Sequence, residues 1–373
     1  MKYRKAFLII TGIVLLSSLV LYLPFILHIQ YWLGLNIPNA DLMYIYRHFD
    51  GLLYVISAKT WYDPVAISKL PIELLLPPQY FPAHLPGYPI FIALIGPIIG
   101  YYRAPLIVNL VFSVLLSIVF YFIIKKLEIT KHPVALTFIF LMFPRFLVIR
   151  SVGAPESLFM LSILLSLYLF ERKHYFWASL IGAFAVVVKT PGILLFVGFT
   201  LTLIDEYLQT KKFNLASILI LLIPSALIGV FGFYWLRIGD FFAYFHTGGY
   251  VPMPYLFSVF NYKAQWVGTG WLEGIIFIFF LYGLSTAYLK DLPYKSFFYF
   301  SLVFLVAVTF VQHQDISRYS LPLWPLACIG LSKFFTSRKF IIIFLLLLPA
   351  IYMFAWNFMV TNVQPVANWA PYM

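Results

Sequence analysis

Residues 85–100 read LPGYPIFIALIGPIIG, an apolar run of 16 residues broken up by Pro86, Pro89 and Pro97 and by Gly87 and Gly100. A helix needs about 20 apolar residues to cross a hydrocarbon core about 30 Å thick, so this run is either a strained span or a re-entrant, interfacial helix. The choice fixes the side on which every later loop emerges. Lysine and arginine decide it, because short cytoplasmic loops are enriched in both. If 85–100 does not cross, the cytoplasmic side holds Lys2, Arg4, Lys5, Lys125, Lys126, Lys131, Arg172, Lys173, Lys211, Lys212, Lys290, Lys295, Lys333, Arg338 and Lys339, which is 15 of 25 basic residues. After subtraction of Glu128, Glu171, Asp205, Glu206 and Asp291 that side carries +10 and the other +2. If 85–100 does cross, the compact basic loops face outward. The first arrangement is therefore expected, with the amino terminus cytoplasmic and the carboxyl terminus external.

Around this run the chain is 63% hydrophobic and only 10% charged over 373 residues, far above the apolar content of a water-soluble chain. Spans are expected near 6–28, 104–124, 133–149, 155–170, 175–189, 191–204, 213–236, 271–289, 296–312, 317–332 and 340–358. The fold class is an all-α polytopic membrane protein of about 11 transmembrane helices, a single transmembrane domain over 1–373, and the expected place is the cell membrane. The first span has a basic flank like a signal peptide, but its apolar stretch is too long and no small-residue cleavage site follows. It reads as a retained anchor. Lys189-Thr190-Pro191 separates two short spans into a tight hairpin, since proline continues the preceding helix poorly. A first external loop at 29–103 and a second at 237–270 hold most of the mass outside the membrane. Trp32, Tyr44, Tyr46, Tyr54 and Trp61 with Pro64, Pro77, Pro78 and Pro82 mark the first loop as short helices along the headgroup zone.

Several function classes drop out. The formal charge of +12 comes in twos and threes between apolar runs, which is membrane topology and not a nucleic-acid patch. The single cysteine, Cys328, allows neither an intrachain disulfide nor a thiolate cluster. No glycine-rich phosphate loop, Gly-x-Ser-x-Gly elbow or His-Glu-x-x-His pair occurs. No cofactor is called for, and a divalent metal is left open.

The ionisable residues that remain gather on the external side: Asp41, Arg47, His48 and Asp50; Arg145, Arg150 and Glu156; Lys189; Arg237, Asp240 and His246; and His313, Asp315 and Arg318. Ionisable groups at a membrane edge are costly and mark functional sites more often than charges on a soluble protein do. Cations beside apolar walls suit an anionic, lipid-linked substrate, with a carboxylate as base. Plainer roles compete. Asp50 and Asp41 each precede a helical stretch and suit amino-caps; Lys189 and Arg318 suit snorkelling cations; His313 suits a bond to a backbone carbonyl.

Five stretches, taken in order, resemble one family. Arg47-His48-Phe49-Asp50-Gly51-Leu52-Leu53-Tyr54-Val55-Ile56-Ser57-Ala58 is similar to Arg-x-Trp-Asp-x-x-x-Tyr-x-x-Ile-Ala, and Tyr80-Phe81-Pro82 with Gly87-Tyr88-Pro89 to Phe-Phe-Pro-x-Tyr-Pro interrupted by extra residues. Ala154-Pro155-Glu156-Ser157-Leu158-Phe159 resembles an acidic opening to an inward span. Lys189-Thr190-Pro191-Gly192 resembles Arg-Pro-x-Gly, and Arg318-Tyr319-Ser320-Leu321-Pro322-Leu323-Trp324-Pro325 resembles Arg-Tyr-Leu-Leu-Pro-x-x-Pro. Together they resemble the GT-C class of polytopic glycosyltransferases, most closely the GPI mannosyltransferase II type and its prokaryotic relatives.

The resemblance implies an inverting transferase that moves a hexose, commonly mannose, from a polyprenyl-phosphate sugar to a lipid-linked or glycan acceptor on the non-cytoplasmic face, with membrane lipids and no nucleic acid as its other partners. Asp50 is then the expected base, with Asp41 as the substitute. Lys189, Arg318 and either Arg47 or Arg150 hold phosphate, and His48, Glu156 and His313 complete the substrate site. Two rival functions use the same features. A secondary transporter also has many helices and few buried charges, although no repeat links the two halves and the charges sit at one membrane edge. A membrane acyltransferase would take His313 or His48 as base.

Overall fold

The computed structural model describes residues 2–48, 50–71, 76–247, 252–260 and 269–361. Phe49 of the first motif, the middle of the second expected external loop and the carboxyl-terminal residues lie outside them. α1 (Lys2–Ile26) is apolar throughout, with its one interior proline, Pro24, in the last turn. The first loop then opens with a hairpin that the all-helical expectation did not include. β1 (Tyr31–Trp32) pairs antiparallel with β2 (Leu35–Asn36). Leu33 and Gly34 both take positive φ, as a two-residue turn matching strand twist requires.

Short helices follow: α2 (Met43–Tyr46), α3 (Gly51–Thr60) and α4 (Pro64–Ser68), the last capped by Asp63, which accepts from the amides of Val65 and Ala66. A 3-10 turn over Pro78–Ala83 leads to α5 (Gly87–Ile99), which contains most of the 85–100 run. Its 13 residues rise about 20 Å at 1.5 Å each. That is too short to bridge a hydrocarbon core.

The rest is helical: α6 (Ala104–Lys126), α7 (Pro133–Leu141), α8 (Pro144–Ile149), α9 (Glu156–Glu171), α10 (Tyr175–Val188), α11 (Leu194–Thr210), α12 (Leu222–Ile238), α13 (Ala243–His246), α14 (Thr269–Leu289), α15 (Lys295–Thr309), α16 (Ile316–Tyr319), α17 (Trp324–Gly330), α18 (Ser332–Phe335) and α19 (Arg338–Thr361). Among the described residues six helices are long and apolar enough to cross a membrane, at 3–26, 104–126, 190–210, 215–238, 271–289 and 338–361. The chain is thus a mostly helical protein of membrane type. The five other expected spans are short or broken. Pro144 splits 133–149 into α7 and α8, and Pro322 and Pro325 divide 317–332 into α16, a 3-10 turn and α17. α9, α10 and α15 run for 16, 14 and 15 residues.

Their environment explains the breaks. Arg145–Ile149 of α8 and Trp324–Ile329 of α17 are all buried, so protein, not lipid, surrounds the interrupted backbone. The long helices behave differently: only 17% of the apolar window of α19 is buried, and Leu346 on it is 75% exposed. Because lipid tails are as apolar as leucine, helices associate by close packing and polar ties. α9 packs on α6 and α10, α11 on α15, and α14 on α17. Phe170 stacks on Phe199 at 4.0 Å, and Ser166 Oγ donates to the Ala178 carbonyl at 2.7 Å. Such interhelical hydrogen bonds contribute about 0.6 kcal/mol each.

α9 also separates two polar ends. At its last residue Glu171 accepts from the Ser296 amide at 2.7 Å, and close by Lys173 pairs with Glu206. Its first residue, Glu156, belongs to the cluster described below. Since Cys328 is buried, a single introduced cysteine reports sidedness with little background. Cysteine at Val65, which is 61% exposed, should react with an impermeant thiol reagent in intact cells, and cysteine at exposed Glu128 should not. The reverse pattern would overturn the external assignment.

Candidate functional site

Glu156 is the hub of the charged cluster. Its side chain is 2% exposed, and Oε1 accepts from Lys189 Nζ at 2.8 Å and from Arg318 Nε at 2.7 Å. Arg318 Nη1 in turn lies 3.6 Å from Asp50 Oδ2. Four residues spread over the chain therefore form one connected set. Exposure rises from Glu156 through Arg318 and Lys189 to Asp50, at 32%, so Asp50 is the most accessible member.

Backbone contacts enforce the meeting. Gly51, next to Asp50, packs on Gly153 in the turn before α9: a methyl group on Gly51 would come 2.8 Å from the Gly153 carbonyl oxygen, and one on Gly153 would come 2.6 Å from Pro105 Cβ. Only hydrogen fits at either position, and this brings the start of α3 onto the start of α9. Lys189 leaves α10 in extended backbone, and the following 3-10 turn folds back on that helix because Gly192 has no Cβ to strike the Val186 amide. Arg318 comes from α16, which Pro322 cannot prolong as an ordinary helix.

A second pair flanks the first. Arg145 is ion-paired with Asp315, and its guanidinium lies 4.1 Å over the Phe358 ring. Phe358 also meets His48 at 5.7 Å, which docks the first loop on α19. His313 Nδ1 accepts from the Asp315 amide at 2.9 Å. Tyr54 stands edge-on to His84 at 4.7 Å and to Tyr88 at 5.0 Å, and Tyr80 lies 5.5 Å from His84. Burial pushes the Tyr80 phenol up to about 12, which keeps it protonated. Tyr54, Tyr80 and Tyr88 lie inside the quoted motifs but were given no site role there. His84 and the Arg145–Asp315 pair carried no motif.

His48 is fully buried, and burial first, then the charges of Arg145 and Arg318, lowers its pKa to about 3. Burial lowers His84 and His313 as well. The unfolded chain takes these protons near pH 6.5, so between that pH and the folded-state value it binds more protons than the native state. Stability is complete above about pH 6.5 and falls as pH drops toward 3. Thermal unfolding in detergent should show this, and His48→Phe should flatten the slope below pH 6; an unchanged slope would remove His48 from the account.

Two expected site residues make contacts away from the Glu156 cluster. Asp41 Oδ1 accepts from the Met43 amide at 2.8 Å, just ahead of α2, whose N-cap is Leu42. Arg150 is wholly buried: Nη1 donates to Ser18 Oγ at 2.9 Å, Nη2 to Ser17 Oγ at 2.6 Å and Nε to the Leu141 carbonyl at 3.1 Å. Its donors tie α8 to α1 and are not available for a phosphate. Arg47 is the C-cap residue of α2. Among the described residues no three His, Cys, Asp or Glu side chains gather as a metal site. A cavity of about 370 Å³ opens between the β1–β2 hairpin and the end of α19, walled by Trp32, Leu35, Trp356 and Phe358. Compared with known proteins, the chain matches no family model, and no curated protein matches it.

Proposed function

We propose that this chain is a membrane glycosyltransferase of the GT-C type that moves a hexose, with mannose the leading candidate, from a polyprenyl-phosphate sugar to an acceptor hydroxyl on the non-cytoplasmic face. The observation that carries the reading is Arg318, which reaches Glu156 at 2.7 Å and Asp50 at 3.6 Å. One cation thereby adjoins both a buried anion seat and an accessible carboxylate. Glu156, Lys189 and Arg318 together hold one excess positive charge, which matches the single negative charge of a polyprenyl phosphodiester.

In the reaction the acceptor oxygen attacks the anomeric carbon from the face opposite phosphate, and its proton passes to the Asp50 carboxylate. The bond from the anomeric carbon to the phosphate oxygen breaks, and the configuration inverts. The polyprenyl phosphate leaves with that electron pair, its added charge held by Lys189 and Arg318. The cavity beside α19 shares Phe358 with Arg145 and offers the apolar chain a wall next to the charged site.

Purified protein incubated with radiolabelled polyprenyl-phosphate hexoses and total membrane lipids should pass label to a new lipid or glycan product. Lys189→Ala should weaken both donor binding and turnover, because the cation meets phosphate in ground and transition states alike. No transfer across the hexose panel would end the reading.

A further inference from the structure

His84 lies among the extra residues that separate Tyr80-Phe81-Pro82 from Gly87-Tyr88-Pro89, so no motif assigns it a task. It is 4% exposed, and its Nδ1 is buried with no hydrogen-bond partner. The Phe81 carbonyl, which accepts from the His84 amide at 2.9 Å, is the smallest of the influences on the ring. The residue is held firmly from behind, since Tyr62 donates its hydroxyl to the His84 carbonyl. Its ring faces Tyr54 and Tyr80 and feels the charges of Asp50, Arg318 and Lys189. A buried imidazole with an unused nitrogen, placed at a ligand site, is costly unless a ligand completes it.

The chemistry of that ligand group follows from what surrounds it. The excess positive charge of Lys189 and Arg318 over Glu156 is matched by the one lipid phosphate, and with accessible Asp50 beside Arg318 a second anion has little to gain there. A hydroxyl both donates and accepts, and it complements an imidazole nitrogen in either tautomer. We propose that His84 is a binding residue of the Asp50–Arg318–Glu156 site and hydrogen-bonds a hydroxyl of the sugar, while the cations hold the phosphate; this rests on the glycosyl-transfer reading.

The test compares binding of polyprenyl-phosphate mannose with binding of the same polyprenyl phosphate lacking sugar, for wild type, His84→Phe and His84→Gln. Phenylalanine keeps the ring and loses the hydrogen bond; glutamine keeps a donor and an acceptor. His84→Phe should lose about five- to tenfold in affinity for the sugar-bearing lipid, the size of one neutral hydrogen bond. Binding of the bare lipid phosphate should stay within about twofold, and His84→Gln should recover most of the loss. Equal losses for both lipids, or no loss for either, would overturn the role of His84 and leave the transferase reading standing. Wild-type protein that binds neither lipid would overturn both.

Discussion

Asp50→Asn should abolish measurable transfer while leaving the fold and donor binding close to wild type. The amide keeps the shape of the carboxylate but cannot take the acceptor proton, and loss of a general base costs on the order of 10²–10⁴ in rate. The side chain is about a third exposed and makes no capping bond to α3. Its 3.6 Å pairing with Arg318 should therefore contribute less than about 1 kcal/mol to stability. Asp41→Asn is the internal control, because that carboxylate is engaged with the Met43 amide. A measured turnover that survives at position 50 and disappears at position 41 would move the base nine residues earlier. Survival in both would discard a carboxylate base from this loop.

Glu156→Ala should have the largest effect on stability. It removes the shared acceptor of Lys189 and Arg318 from a site where the glutamate itself is 2% exposed. Two cations are then left facing one another. Breaking a buried ion pair from one side typically costs about 3–5 kcal/mol, whereas replacing the whole group by apolar residues is often neutral. The triple substitution Glu156→Leu, Lys189→Met and Arg318→Met should therefore regain much of the lost melting temperature while remaining inactive. Glu206→Ala, which breaks a half-exposed pair with Lys173, should cost less than about 1 kcal/mol. If Glu156→Ala melts no earlier than Glu206→Ala, the cluster is not the electrostatic centre assigned to it.

Hydrophobic length made the long helices α1, α6, α14 and α19 readable, because a run of that size has few alternatives outside a bilayer. The breaks in 133–149 and 317–332 were harder to see. Pro144, Pro322 and Pro325 were visible, but a proline in an apolar run kinks a lipid-facing span or ends a buried helix according to its neighbours, which composition does not reveal. The same limit applied to the site. Asp50, Lys189 and Arg318 stood out by their placement between spans, yet Glu156 as the common partner of Lys189 and Arg318, with Asp50 joined through Arg318, depends on the Gly51–Gly153 contact, a long-range meeting of two glycines. Arg150 resembled the other cations in sequence and differs in being wholly buried against Ser17, Ser18 and the Leu141 carbonyl. The hairpin at 31–36 is too short for any strand periodicity to register.

Arg150 also bears on how such a chain is assembled. A guanidinium at the end of a six-residue helix is expensive to move into hydrocarbon by itself. Its receptors, Ser17 and Ser18, sit on α1, which a ribosome delivers well before α8. Chain order alone makes the serine face of α1 the earlier-made half of this contact, so its two hydroxyls form a template to which the later arginine is fitted.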